Sequence, residues 1–290
     1  NIAIGNDAGM TMSTTSNNIT IGYSAGNDTV GNNAVIIGNY AGDDNSPSNS
    51  VIIGYQAGRV VNGENATVIG YQAMMATTEP DNTAVGAYAL TALVDGENNT
   101  ALGIAAGYRI VKGDNSTFLG WYAGFNATGS SNTFVGSEAG KGGQASAPFS
   151  SGTKNIALGY QALTAFTTGG ENIAIGYQSA YSLTTSNMVI AIGHSAAYSF
   201  AGSRGYGVYI GRNAGYSETG AYNDTMLGNS AGYYQNMGGA GETYSWNTNL
   251  GYRAGYHNIS GKSNTYVGNE AGFSKTGVSN VAVGADALFG

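Results

Sequence analysis

The sequence predicts an all-β protein, a single parallel β-solenoid of about 17 turns with 16–18 residues per turn. Related units recur from end to end, such as NIAIGNDAG at 1–9 and NIALGYQAL at 155–163. Their central glycines follow one another at steps of 16, 17 or 18 residues, apart from two steps of 23. No 3.6-residue apolar stripe recurs, so helices are not predicted. A short period unbroken over 290 residues is typical of a solenoid.

The array occupies residues 1–290 as one continuous domain, with longer loops at 141–154 and 233–246. Both ends fall inside a repeat, so we expect the array to be cut from a longer one. Positions within a repeat are counted from the central glycine, which is position 0. The central glycines are Gly5, Gly22, Gly38, Gly54, Gly70, Gly86, Gly103, Gly120, Gly136, Gly159, Gly176, Gly193, Gly211, Gly228, Gly251, Gly268 and Gly284.

The predicted strand precedes the glycine, because position −1 is always aliphatic and position −3 is always Ile, Val or Thr. Two such residues with one between them indicate a short strand, and we expect both to face the interior. Position +3 is Ala in sixteen copies and Ser179 in the other, which indicates a tightly packed column. The predicted structural core includes Ile4, Ile21, Ile37, Ile53, Ile69, Leu158 and Ile175, with Ala57, Ala123, Ala139 and Ala162 from the alanine column.

Position −2 should face the opposite side of the strand, and it is usually apolar as well. A strand that is apolar on both faces is usually buried on both. One face can fill the coil, and the other should meet a second layer or another chain. We therefore predict a subunit contact, whose candidate residues are Ile52, Phe118, Phe134, Tyr209 and Tyr266.

Other columns predict ladders between turns. Asn at position −4 or −5 in fifteen copies should form an amide ladder. Gly at position +4 in eleven copies suits a turn with positive φ. Aromatic residues at position +1 either stack on one another or offer an exposed row to sugars. The candidate surface-binding residues are Tyr55, Tyr71, Trp121, Tyr160 and Tyr177.

Composition argues against several functions. The net charge is −7 and the ten Lys and Arg residues are scattered, so no nucleic-acid partner is expected. No cysteine and no run of 18 apolar residues occurs, so neither thiolate chemistry nor membrane insertion is predicted. Two G-x-S-x-G matches, at Ser24 and Ser230, follow from the repeat, and only His194 and His257 could serve as a base. We expect no enzyme activity and no cofactor, with calcium in the acidic outer loops as a minor alternative.

The unit Asn49–Gly54, NSVIIG, followed by Ala57, resembles the head repeat of trimeric autotransporter adhesins. Units such as 82–90, NTAVGAYAL, look like repeats of phage tail fibres and bacterial surface fibres. The resemblance covers the whole chain and implies a left-handed parallel β-roll. It also implies a side-by-side homotrimer that binds host or matrix surfaces. The turns here are longer than the usual head repeat.

The leading functional hypothesis is a non-enzymatic, extracellular structural or adhesive fibre segment on a cell surface or virion. Its partners would be its own copies, in a homotrimer, and a surface glycan or matrix protein. The alternative is a filament whose subunits stack end to end without a receptor, since uncapped solenoid ends are sticky. Ice binding through Thr67, Thr83, Thr100, Thr117 and Thr133 is a third hypothesis, disfavoured because these residues should point inward.

Overall fold

The structure, a computed structural model, describes residues 1–28, 31–44, 47–143, 149–200, 205–219, 223–235 and 244–290. These residues form a parallel β-solenoid of about 15 turns, with no helix among them. The all-β solenoid prediction is confirmed at this level. Contacts divide the chain into two compact units, Asn1–Ser137 and Glu138–Gly290. The two predicted long loops lie in part outside the described residues.

The first unit is built on one parallel sheet of three-residue strands, to which each repeat contributes one strand. Partners lie in register about one repeat apart, as Ile36 pairs with Ile52. In a second, two-stranded sheet, Val60 pairs with Ala76 and Val61 with Thr77. The strands are β1 Ile2–Ile4, β2 Ile19–Ile21, β3 Val35–Ile37, β4 Val51–Ile53, β5 Val60–Val61, β6 Thr67–Ile69, β7 Ala76–Thr77, β8 Thr83–Val85, β9 Thr100–Leu102, β10 Thr117–Leu119 and β11 Thr133–Val135.

The second unit repeats the same design. Its strands pair in parallel and in register, for example Ala157 with Ala174. The strands are β12 Ile156–Leu158, β13 Ile173–Ile175, β14 Ile190–Ile192, β15 Val208–Ile210, β16 Thr225–Leu227, β17 Thr248–Leu250, β18 Thr265–Val267 and β19 Val281–Val283. Each of these strands is followed directly by a central glycine, so the three strand residues and the glycine together define one edge of a turn.

The central glycine is required for two reasons. Its φ is between 126° and 144° in all copies, a region that L side chains rarely adopt. In addition, the glycines stack on each other: a Cβ on Gly22 would lie 2.6 Å from the carbonyl oxygen of Gly38 in the next turn. Any side chain at this position would therefore push two turns apart.

The strand faces are the reverse of the prediction. The residue at position −2 points into the coil: Ile52, Phe118, Phe134, Tyr209 and Tyr266 are all 0% exposed. These residues belong to the core of their own chain, so they are not a subunit contact. Because these strands are apolar on both sides, their sequence has no alternation of apolar and polar residues to show which face is inside. In the folded chain, the three-residue strand buries only its middle side chain.

The residues at positions −3 and −1 point outward. None of the seven aliphatic residues at position −1 predicted to form the core is buried, and Ile4 and Leu158 are 58% and 45% exposed. The seven residues are Ile4, Ile21, Ile37, Ile53, Ile69, Leu158 and Ile175. The threonines at position −3, expected to point inward, are likewise half-buried or exposed.

The alanine column lies inside, where Ala57, Ala123, Ala139 and Ala162 are fully buried. Its carbonyl groups tie the turns together. The Ala73 carbonyl accepts a hydrogen bond from the Gly58 N–H at 2.9 Å, and the equivalent bond recurs along both units. The small side chain allows backbones to approach closely enough for these bonds.

Glycine at position +4 makes room for a large residue at position −2. A Cβ on Gly124 would overlap the ring of Phe118, and one on Gly272 would lie 2.6 Å from the ring of Tyr266. In five of the seven copies with Ala at position −2, a larger residue replaces the glycine: Leu163, for example, accompanies Ala157 and is fully buried. Ala3 and Ala101 keep glycine at position +4. Both kinds of residue adopt positive φ at position +4.

The predicted amide ladder is present, and positions −4 and −5 have separate roles. Position −4 is buried in every copy between the first and the last. Where this residue carries a side-chain oxygen, as at Ser50, Asn82 and Asp224, the oxygen accepts the backbone N–H of the next turn. Asn155 Oδ1, for example, accepts from the Asn172 N–H at 3.0 Å. The Asn155 side-chain amide donates to the Gly169 carbonyl at 2.9 Å. Position −5 is exposed in Asn17 and Asn33, where Asn17 donates to Asn33 across 3.1 Å.

Candidate functional site

The serines of the two G-x-S-x-G matches occupy position +2, which adopts positive φ in all copies. Ser24 and Ser230 are 7% and 9% exposed. The Ser230 hydroxyl donates to Asn229 Oδ1 at 2.8 Å. His194 stacks on Tyr177, and its Nδ1 lies 3.1 Å from the hydroxyl of its neighbour Ser195. Both serines therefore have the backbone conformation that the other copies adopt at this position.

Acidic groups do not form a recognisable metal site in the described part of the chain, where no three Asp, Glu or His side chains come together to hold an ion. Asp44 lies 3.7 Å from Arg59, and both side chains are about half exposed. Burial raises the pKa of the neighbouring Asp43, with a further contribution from the charge of Asp44. The calcium hypothesis stays a prediction.

The aromatic residues at position +1 form an outward row. Tyr55, Tyr71, Trp121, Tyr160 and Tyr177 are each 43–47% exposed. Neighbouring rings stack: the centroids of Tyr55 and Tyr71 lie 5.5 Å apart, as do those of Tyr160 and Tyr177. Stacking covers ring faces that a sugar would need in these two pairs, which present mainly ring edges to solvent. Trp121 has no aromatic neighbour at position +1, and its ring lies tilted against Tyr122 at 4.3 Å.

A longer aromatic ladder, which was not predicted from the sequence, lies in the second unit at position +5. Its centroids are 4.9–5.3 Å apart, and its ring planes are within 25° of parallel. An aromatic residue recurring five after the glycine is the signal that would have revealed it. The members are Tyr181, Tyr198, Tyr216, Tyr233, Tyr256, Phe273 and Phe289.

The outward strand face is an uncovered, uncharged surface that the strands create. Positions −3 and −1 carry only Ile, Val, Leu and Thr, so the face has no charge. In the first unit Leu102 and Leu119 are 47% and 38% exposed, and in the second Ile156 and Leu158 are 41% and 45% exposed. A contiguous apolar face of this kind is typical of an interaction surface. We define it as the outer strand face.

The described residues also contain no helix long and apolar enough to cross a membrane. No protein-family model matches the chain, and no curated protein matches it. The resemblance to adhesin and fibre repeats therefore remains an expectation from the sequence, and function is inferred from the geometry of the solenoid.

Proposed function

We propose that the chain is a non-enzymatic structural segment of an extracellular fibre, whose copies associate side by side through the outer strand face. The observation that carries this proposal is the exposure of the uncharged aliphatic residues at positions −3 and −1. Burying such a face contributes about 25 cal/mol per Å² of apolar surface. Because the rows at positions −3 and −1 recur at every turn, their small contributions to the free energy of association add up along the whole contact.

The number of copies comes from the resemblance. Three chains around one axis would bury the outer strand face of each, as in the homotrimeric heads that NSVIIG at 49–54 resembles. We propose the same left-handed coil and seventeen turns, one for each central glycine. The assembled fibre would present its remaining surface to a glycan or matrix protein.

The test is the oligomeric state of paired variants in the first unit. Leu102→Lys with Leu119→Lys places two charges on the outer strand face. Ile104→Lys is the matched control, because Ile104 is 51% exposed and lies beyond the strand. We expect sedimentation to show a trimer for the wild type and the control, and monomers for the double variant with an unchanged circular dichroism spectrum. A monomeric wild type, or an associated double variant, would overturn the proposal.

Electron microscopy separates this proposal from the filament alternative. Side-by-side trimers give discrete rods of fixed length. Subunits that stack end to end give fibres whose length grows with protein concentration, and the Lys substitutions on the strand face would leave those fibres intact.

A second candidate function, ice binding, is favoured by one observation. The threonines at position −3 of β6 and β8–β11 face outward, and they pair in register along the sheet, as Thr117 pairs with Thr133. A regular, uncharged row of hydroxyl and methyl groups is a surface that ordered water can match. Thermal hysteresis that is present in the wild type and lost in Thr100→Lys would support it. Absence of hysteresis in the wild type would exclude it.

A further inference from the structure

A groove in the first unit lies away from the strands, at the turn positions after the glycine. Position +2 carries Tyr88, Ala105 and Tyr122 in three successive turns. All three have positive φ, at 61°, 53° and 56°, so the backbone projects the three side chains in equivalent directions. The alanine therefore lies between two tyrosines of this column and leaves a gap between them.

The gap has the size of a small ligand site. Turns of a parallel coil lie about 4.8 Å apart, so Tyr88 and Tyr122 belong to turns separated by about 9.6 Å. The groove there has a volume of about 350 Å³, within the usual range of ligand pockets. Its lining residues are Tyr88, Ala105, Tyr108, Arg109, Tyr122 and Phe125.

Contacts between the rings hold this lining in place. Tyr108 and Phe125 stack with centroids 5.0 Å apart and planes 5° from parallel. Tyr122 stacks on Phe125 at 4.5 Å, and Tyr88 meets Tyr108 edge-on at 6.3 Å. Each ring is fixed by another ring, so the groove exists before a ligand arrives and little side-chain entropy is lost on binding.

Arg109 gives the groove its charge. The Arg109 Cζ atom lies 5.6 Å from the Phe125 centroid and 5.9 Å from the Tyr108 centroid, which places the cation against the aromatic lining. The Arg109 backbone N–H donates to the Phe125 carbonyl at 3.1 Å, which anchors the residue to the next turn. The lining contains one cation and no carboxylate, so it favours an anionic ligand.

We propose that this groove binds a single carboxylated sugar residue. The apolar C–H groups of a pyranose can pack on the Tyr88 ring, which meets Tyr71 and Tyr108 edge-on and is not part of a face-to-face stack. The tyrosine hydroxyls can bond to the sugar hydroxyls, and the sugar carboxylate can pair with the Arg109 guanidinium. A long polyanion such as a nucleic acid fits poorly, because the chain has a net charge of −7 and no basic track.

This ligand class makes the proposed attachment role more specific, and the inference rests on that proposed function. Its residues lie at positions +2, +5 and +6, whereas association uses positions −3 and −1. Binding and oligomerisation can therefore fail independently, and sedimentation reports on the second alone.

The experiment is a titration of the full chain with methyl glucuronide, followed by NMR saturation transfer and calorimetry. Methyl glucoside, which lacks the carboxylate, is the matched control ligand. We expect the glucuronide to bind at least about tenfold more tightly, because a hydrogen bond to a charged group contributes more than one between neutral groups. Equal binding of the two sugars, or no binding of the glucuronide at millimolar concentration, would overturn the proposal.

Two variants locate the site. Ala105→Tyr fills the gap with the residue that neighbouring turns carry on the same backbone, so it should fold normally and abolish binding of both sugars. Arg109→Gln should reduce glucuronide binding at least about tenfold and leave glucoside binding unchanged. Arg59→Gln, at a cation outside the groove, is the control and should have no effect. Glucuronide binding that is unchanged in Ala105→Tyr or in Arg109→Gln would place the ligand elsewhere and contradict the proposal.

Discussion

Two turns of the first unit fill the same core in opposite ways. In one, Phe118 at position −2 faces Gly124 at position +4, and a Cβ on that glycine would overlap the ring. In the other, Ala84 at position −2 accompanies Leu90 at position +4, and both are fully buried. In these two turns a large residue at one position accompanies a small one at the other. In the turn between them both Ala101 and Gly107 are small, and Leu90 and Phe118 of the neighbouring turns lie next to Gly107. The core space is therefore shared between the two positions and between adjacent turns.

A stretch of the second unit fills its core with polar groups instead. Position +7 is Phe166, Leu183 and Phe200 in three successive turns, all fully buried. In the next three turns it is Glu218, Gln235 and Asn258, equally buried. Asp224 stands in the amide ladder beside them, accepting hydrogen bonds from the Ser245 hydroxyl and the Asn247 N–H, each at 2.7 Å. The same backbone turn therefore holds either apolar or polar side chains at this position. Gln235 donates to the Asp224 carboxylate, whereas Asn258 Oδ1 has no hydrogen-bond partner among the described residues.

The largest effect should come from charging the inward face. Phe118→Asp removes a buried ring, which costs about 3–5 kcal/mol, and also buries a carboxylate. We expect chemical denaturation to show loss of the fold in the first unit. Leu119→Asp is the matched control, since the next side chain points outward, and it should keep its circular dichroism spectrum. Equal destabilisation by both variants would contradict the assignment of the faces.

The second-largest effect should come from changing the central glycine, which both kinds of turn share. Gly120→Ala puts a Cβ 2.6 Å from the Gly136 carbonyl oxygen at a φ of 136°. Backbone strain and overpacking each cost about 1–3 kcal/mol, so urea denaturation should show a loss of about 2–6 kcal/mol. Ile104→Ala, at an exposed residue, should lose less than about 1 kcal/mol. A stable Gly120→Ala variant would mean that the turns can separate without cost.

The third effect concerns the pH dependence of stability that Asp224 gives to the polar stretch of the core. Burial raises the pKa of Asp224 from 3.8 to about 7. The folded state therefore binds a proton more tightly than the unfolded state. The stabilisation that comes from protonated Asp224 should be complete below a pH of about 4. It should fall as the pH rises to about 7 and be absent above that.

Asp224→Asn removes this titration, because an amide does not ionise. The variant should still fold, because an amide is the usual residue of the ladder. We expect the free energy of unfolding of the wild type to decrease across that window by up to about 1.4 kcal/mol per pH unit. The variant should show a flatter profile in urea titrations at pH 4, 5.5, 7 and 8. A wild type whose stability rises with pH over this range would contradict the burial of a protonated acid.

The smallest expected effect tests directly whether the side chains at positions −2 and +4 share one space. Gly124→Leu overpacks the core against Phe118 and should cost about 1–3 kcal/mol. Adding Phe118→Ala reproduces the Ala84 and Leu90 combination, so the double variant should recover much of that loss. A double-mutant cycle by urea denaturation measures the coupling. Strictly additive effects would show that the two positions do not share one space.

The sequence by itself determined the repeat, the strand before each glycine, the alanine column and the amide ladder. Each of these follows from residue types that a stacked turn requires: a glycine where backbones meet at positive φ, and an amide where an N–H needs an acceptor. The periodicity also located the aromatic row at position +1, although its stacking could only be stated as an alternative.

Only the tertiary structure decided which face of the strand is inside. Val51, Ile52 and Ile53 are all apolar, so hydrophobicity could not distinguish the fully buried Ile52 from its half-buried neighbours. The deciding information is the space opened by Gly58 in the same turn, where a Cβ would lie 3.0 Å from the Ile52 side chain. That contact joins residues six apart across a closed coil, and it exists only once the turn has formed.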